Sequence, residues 1–501
     1  MQSSFITMEG ICKSFVGVKA LNKVDFSIQQ GEIHCLAGEN GCGKSTLIKI
    51  ISGAHDATDG KIVIEGKEIK KLTPITSIKM GIQVIYQDFA IFPNLTVAEN
   101  IAMNSALMTG QKRMDWKAAR ALALVAMEKI GAKIDPDMLV ERLSVSNRQM
   151  VAICRALIHD AKLLILDEPT TALTSIEVQM LYDVLRNLKK SGMAVVIVNH
   201  KLEEIYGIAD RLTVLRNGKN VATGPIEEFT RERFIKCMTG REIVDSLYEP
   251  LPSTEKILEV SDLTSPGSFS NVSFSLEKGD ILGITGLLGS GRNEIGDAMF
   301  GIHPAESGRI KLNGKEIAIK SISDATRNRI GYVPEDRLTQ GLFLSRSIKD
   351  NTVAASIQKY MVNGKLNETK MEKDTWQWIQ KIGCVATDIH APIKTLSGGN
   401  AQKMVIAKWL NIEPKLLILN GPTVGVDIGS KFDIHKILKK LASTGVGIII
   451  ISDDLSELYY NCNKLVIMHD GISSGIIRTG SIAEEDINKM LHGEKLELMN
   501  E

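Results

Sequence analysis

Gly38-Glu39-Asn40-Gly41-Cys42-Gly43-Lys44-Ser45-Thr46 lies between an apolar run, IHCLA at 33–37, and a second, TLIKIIS at 46–52. It matches the pattern GxxxxGK[ST] in full and in the strand–loop–helix setting that the pattern requires. Its three glycines let consecutive backbone N–H groups turn inward around an anion, so the whole loop Gly38–Thr46 is the expected cradle for nucleotide phosphates. Lys44 is placed to reach the β- and γ-phosphates, and the Ser45 hydroxyl to give an oxygen to Mg²⁺. A strand feeding such a loop places the chain among α/β folds with a parallel sheet.

Outward from this loop, LLILDEPT at 163–170 ends an apolar strand in two carboxylates. Asp167, at the strand tip, is the expected second holder of Mg²⁺, and Glu168 the group that orients and polarises an attacking water. His200 follows the strand AVVIVN and is expected to touch the γ-phosphate. Gln87 ends the strand IQVIY and is expected to couple the metal site to the segment beyond it. Phe15 fits an adenine-stacking role. Lys44, Gln87, Glu168 and His200 are thus the candidate catalytic set, with Ser45, Gln87 and Asp167 around the metal.

The unit is written twice. GEIHCLAGENGCGKS (31–45) recurs as GDILGITGLLGSGRN (279–293), an offset of 248; LLILDEPT recurs as LLILNGPT (416–423), an offset of 253. ERLSVSNRQMVAICRAL (141–157) and KTLSGGNAQKMVIAKWL (394–410) share the second offset. Each copy starts with alternating strands, continues through strand, Gly-rich loop and helix, crosses a helical stretch (about 95–140 and 345–390), and closes in βα alternation. The expected architecture is tandem α/β P-loop domains, each with a parallel-sheet core, an antiparallel β subdomain and a helical subdomain. Domains at 1–242 and 257–501 are joined by a polar, proline-containing linker at 243–256.

Lys plus Arg (60) balances Asp plus Glu (59), so the net charge is +1; a nucleic-acid binder would show a basic excess. Seven cysteines never fall in CxxC spacing, which argues against both a disulfide framework and a zinc site. No signal peptide and no apolar run of 18 residues is apparent, so work at a membrane would require docking on another protein.

The P-loop, Gln87, LSVSNRQ, LDEPT, TALT and His200 resemble the Walker A, Q-loop, signature, Walker B, D-loop and switch histidine of ATP-binding cassette proteins. GLLGSGR (286–292) and GYVPEDR (331–337) are similar to ATP-binding subunits of bacterial monosaccharide importers. The resemblance implies ATP and Mg²⁺ as ligands, two transmembrane permease subunits and an extracytoplasmic solute-binding protein as partners, and a peripheral place on the cytoplasmic face of the bacterial inner membrane. It also implies cassettes closing head to tail. The first site would then join Lys44, Ser45, Gln87, Asp167, Glu168 and His200 to the second-half Ser397, Gly398 and Gly399, with Asp427 beside them. The rival reading, a soluble twin-cassette ATPase acting on ribosomes, calls for a long charged linker and two intact sites.

The second site reads differently at each position. Arg292 stands for the lysine, Asn293 for the serine, Glu335 for Gln87, Asn420 for Asp167, Gly421 for Glu168 and Asp453 for His200. Its partner signature has Val145 and Ser146 where the other half has Gly398 and Gly399. All the losses fall on one composite site, which predicts a single hydrolytic site per chain and supports the head-to-tail arrangement.

Overall fold

The computed structural model describes residues 4–15, 17–86, 88–108, 115–158, 160–170, 173–199, 202–242, 246–491 and 493. The chain divides into two compact units, Met1–Ile243 and Val244–Glu501.

In the first unit, strand Ser4–Phe15 pairs antiparallel with both Val18–Gln29 and Asp59–Ile64. The inward residues Ile6, Met8, Ile11, Phe26 and Ile28 cover the P-loop helix Lys44–Ile51 through Leu47, Ile48 and Ile51. A six-stranded sheet follows, in the order Lys219–Pro225, Arg211–Arg216, Ile33–Gly38, Ala194–Val198, Leu163–Asp167, Ile82–Ile85. Its last five strands are parallel. They read as continuous apolar runs because both faces are covered. Leu163, Ile165, Val196 and Val198 face one core, whereas Leu164, Leu166, Val195 and Ile197 face the other. Register pairs Val198 with both Leu36 and Asp167, so the P-loop and the Asp167–Glu168 turn leave the sheet at the same end. That end is where open α/β sheets bind ligands.

The helical layer consists of Val97–Met108, Trp116–Ile130 and Val145–Leu157, packed through Val97, Ile101, Ala123, Met127, Val151 and Cys154. Asp115 starts the second helix by accepting from the Lys117 and Ala118 N–H groups, both at 3.1 Å. Arg155 on the third helix donates to the carbonyls of Phe89 (2.9 Å) and Ala90 (2.8 Å), just past Gln87.

The second unit repeats the plan. Its sheet runs Ile330–Val333, Leu416–Asn420, Gly447–Ile451, Ile281–Gly286, Lys464–His469, Ile472–Arg478. Lys408 takes the place of Arg155 and donates to the Gly341 carbonyl at 2.7 Å; burial pushes its ammonium down to about 8.

Two features depart from the expected pattern. The helical stretch of the second unit contains a hairpin, Met361–Val362 with Lys365–Leu366, turned by Asn363-Gly364 with φ of 49° and 77°. Each sheet also ends in an antiparallel strand rather than in βα alternation, after Asn217-Gly218 and Asp470-Gly471. Asn-Gly and Asp-Gly adopt positive φ readily, and such turns match the twist of paired strands. Among the described residues no helix is long and apolar enough to cross a membrane.

Candidate nucleotide site

The P-loop joins the buried strand Ile33–Gly38 to the helix that begins at Lys44. Gly43 turns the chain into that helix with φ 109°, and a Cβ there would lie 2.6 Å from Leu21 Cδ2 and 2.7 Å from the Ala20 carbonyl oxygen. Only glycine accepts both the conformation and the contact. Lys44 is buried, and its Nζ donates to the carbonyls of Gly38 (2.6 Å) and Glu39 (3.0 Å), the two residues that open the loop. Its ammonium therefore sits inside the nest whose N–H groups would face an anion. Asn40, Gly41 and Ser45 are exposed, Glu39 and Thr46 half-buried. Cys42 is buried; loss of hydration raises its thiol pKa, which makes it a packing residue of the loop.

Asp167 ends its strand half-buried, and burial together with the neighbouring Glu168 charge raises its pKa. Glu168 has φ 47°, a left-handed conformation that costs a non-glycine residue about 1–2 kcal/mol. Its N–H bonds to the Val198 carbonyl at 3.0 Å, which fixes the turn against the neighbouring strand. Gly421, at the matching place, has φ 57° and the same bond to Ile451 at 2.8 Å. Both units thus require a left-handed residue here. The second uses the unstrained one, and the first keeps a carboxylate at the expense of strain, as functional sites do. Gln87 and His200 lie outside the described residues.

Reasoning from sequence missed Glu204. It accepts from Asn199 Nδ2 (2.7 Å) and from the Thr170 hydroxyl, and so ties the strand end before His200 to the turn after Glu168. Glu457 does the same in the second unit, bonding Thr423 (2.7 and 2.8 Å), Ser452 (3.2 Å) and His435 (2.7 Å). Burial alone would raise the Glu457 pKa, but the His435 partner outweighs it and brings the group down to about 2. The signal was available: a glutamate recurs at the same 253-residue offset.

Phe15 ends its strand 44% exposed, edge-on to His55 at 5.5 Å and with Lys13 Nζ 5.3 Å from its ring centroid. A core phenylalanine would be covered; this one is open on the P-loop unit. Phe15→Ala is expected to raise KM for ATP about tenfold, the lower range for base–aromatic stacking, with kcat changed less than about twofold, in a phosphate-release assay.

The second-unit signature begins the helix Gly398–Leu410, with exposed Ser397 accepting from the Asn400 N–H at 3.5 Å. A Cβ on Gly399 would lie 2.0 Å from Ser430 Oγ, so no side chain fits unless Ser430 moves. In the first unit Ser146 fills that place and is hydrogen-bonded to Ser144 (3.0 Å) and to Glu177.

The second P-loop keeps the form of the first. Gly291 has φ 90°, and buried Arg292 donates to the Gly286 carbonyl as Lys44 does to Gly38. Its surroundings differ. Arg292 also pairs with Asp453 at 3.8 Å, Asn293 donates to Glu335 at 3.2 Å, and Asn420 is buried beside the Tyr332 hydroxyl at 3.4 Å.

The family model described as "ABC transporter" matches residues 21–171 and 269–424. Ribose import ATP-binding protein RbsA of Clostridium perfringens (strain 13) is 39% identical over 497 residues, 98% of this chain and 99% of that protein. The chain belongs to the ABC transporter family. It is an ATP-binding cassette subunit, an ATPase coupled to transport. Xylose import ATP-binding protein XylG of Geobacillus kaustophilus is 39% identical over 505 residues, covering 99% and 100% of the two chains. Ribose import ATP-binding protein RbsA 2 of Rhizobium etli is 37% identical over 499 residues, 98% of each. These relatives match over their whole length, so the repeat of two cassettes is shared with them.

Proposed function

We propose that this ABC ATPase energises import of a monosaccharide or a related small polar solute, and that each chain has one hydrolytic site. The observation that carries the one-site reading is the sorting of residues: the intact P-loop, Asp167 and Glu168 stand on one unit, and the Ser397-Gly398-Gly399 signature on the other. The sugar-type solute rests on the relatives' full-length similarity.

In this reading the first P-loop binds the ATP phosphates, and the second unit's signature completes the site. Glu168 accepts a proton from water as the water oxygen bonds to the γ-phosphorus and the bond to the β-phosphate oxygen breaks, leaving ADP and phosphate. Lys44 and the Ser397–Gly399 backbone hold the charge of the transferring group. The available donors, the Ser45 hydroxyl and the Asp167 carboxylate, with Gln87 two positions beyond the strand that pairs with Leu163–Asp167, fit Mg²⁺, which keeps water and phosphate ligands rather than needing an all-protein cage. When bound, that ion neutralises phosphate charge. Closure and reopening would pass to two permease subunits on the cytoplasmic face of the inner membrane, supplied by an extracytoplasmic binding protein.

Tagged full-length chain purified from its own cells is expected to carry an integral membrane protein in stoichiometric amount and to be absent from ribosome pellets. Co-sedimentation with ribosomes and no membrane partner would overturn the importer reading in favour of a soluble twin-cassette factor.

A further inference from the structure

Arg337 ends the GYVPEDR segment. Its Nη1 donates to the Val424 carbonyl at 2.6 Å and its Nη2 to the Gly425 carbonyl at 3.1 Å, 87 and 88 residues away in the chain. Gly425 has φ 66°, and a Cβ there would lie 3.3 Å from Nη1. A Cβ on Gly398, the first glycine of the signature, would lie 3.1 Å from Nη2. The guanidinium therefore fills a gap between the D-loop backbone and the start of the signature helix. Its Nε is enclosed without a partner, and burial lowers its pKa against the pull of Asp336. A half-buried charge with an enclosed, unpartnered Nε, held by neutral carbonyls, is a costly means of filling space. A planar fork with two diverging donors bridges successive carbonyls in a way an ammonium cannot.

The same cluster continues through Ser430, which bonds Asp427 with its N–H (2.8 Å) and hydroxyl (3.0 Å) and lies against Gly399. In the first unit, at the 248-residue offset, Phe89 stands in place of Arg337, and the signature glycines are Val145 and Ser146. The guanidinium is thus found on the unit that keeps a glycine signature.

We propose that Arg337 is a positioning residue for ATP hydrolysis, clamping the Val424–Gly425 turn to the start of the signature helix so that the Ser397–Gly399 backbone is held in a preset shape. This rests on the composite-site reading. Arg337 touches neither nucleotide nor attacking water; it acts through Gly398 and the D-loop backbone.

The test uses the full chain with Arg337→Lys, Arg337→Ala and Ser397→Arg, the last an exposed position at the start of the signature helix. ATP turnover, KM and the thermal transition are measured for each, with turnover normalised to folded protein. Arg337→Lys, which retains charge and one donor direction, is expected to lower kcat about tenfold and Arg337→Ala about a hundredfold, as for one and two lost charge-assisted bonds. KM for ATP stays within about twofold, because the first P-loop is untouched. Ser397→Arg is expected to abolish turnover. Native kcat in Arg337→Lys alongside an inactive Ser397→Arg overturns the clamp and leaves the composite site standing. A loss of kcat that disappears once folded protein is counted also overturns it, since Arg337 would then only stabilise the unit. Full turnover in Ser397→Arg overturns the composite reading and the clamp together.

Discussion

Glu168→Gln is expected to lower ATP turnover of the full chain about a thousandfold, within the range for loss of a positioned general base, while nucleotide affinity changes less than about threefold. The amide keeps the size of the side chain and adopts the same left-handed backbone, so the turn held by the Glu168 N–H to Val198 bond at 3.0 Å survives. What disappears is a carboxylate able to take a proton from water. A second observable follows from the neighbouring acid. The Asp167 pKa is raised by burial first and by the Glu168 charge next. A neutral residue at 168 removes the second cause, so the Asp167 pKa should fall in the variant, readable by carboxyl-labelled NMR titration. Turnover is measured by phosphate release at saturating ATP, together with accumulation of the ATP-bound closed form. Retention of about half the native rate would mean that the second unit hydrolyses ATP despite Asn420 and Gly421, and the one-site mechanism would have to be abandoned.

Much of this site was legible in the sequence because its parts are short-range. Gly38–Thr46 lies between one strand and one helix, and a single pattern fixes its conformation. Asp167 and Glu168 sit at the tip of an apolar strand whose neighbours could be inferred from the repeat. The interlocking contacts were not legible, because they are set by packing between distant segments. Arg337 reaches its two carbonyls across 87 and 88 residues, and Thr170 reaches Glu204 across 34. The need for glycine at 399 is likewise set by Ser430, 31 residues away in the chain, a contact that no local pattern announces. Asn363-Gly364, by contrast, was a turn signal available in the sequence, and the expectation of a mostly helical stretch did not place a hairpin at it. The φ of 47° at Glu168 had no sequence signal in the first unit alone; Gly421 at the matching place was that signal.

Lys44→Met should lower ATP affinity about a hundredfold or more and abolish turnover, whereas Arg292→Met should leave turnover within about threefold, given that a charged bond to phosphate contributes about 1.5–3 kcal/mol and the Lys44 ammonium has two donor directions, held by loop carbonyls, to offer it. Methionine keeps an unbranched stem of similar volume, so both loops retain their packing. The comparison isolates the charge. Lys44 donates to the carbonyls of Gly38 and Glu39, neutral acceptors that phosphate oxygens outcompete. Arg292 faces a different balance: besides the Gly286 carbonyl it has the Asp453 carboxylate at 3.8 Å, so an incoming phosphate must compete with an anion already present. Asp453 stands, at the 253-residue offset, where the first unit has His200, so the second unit carries an acid at the sequence position for which we propose a γ-phosphate-sensing histidine in the first. Equilibrium binding of a slowly hydrolysed ATP analogue to the two variants and the native chain, with phosphate release measured in parallel, separates the possibilities. Equal losses from Lys44→Met and Arg292→Met would show that the second P-loop must hold nucleotide for turnover, and the division of labour read from the asymmetric residues would then be wrong.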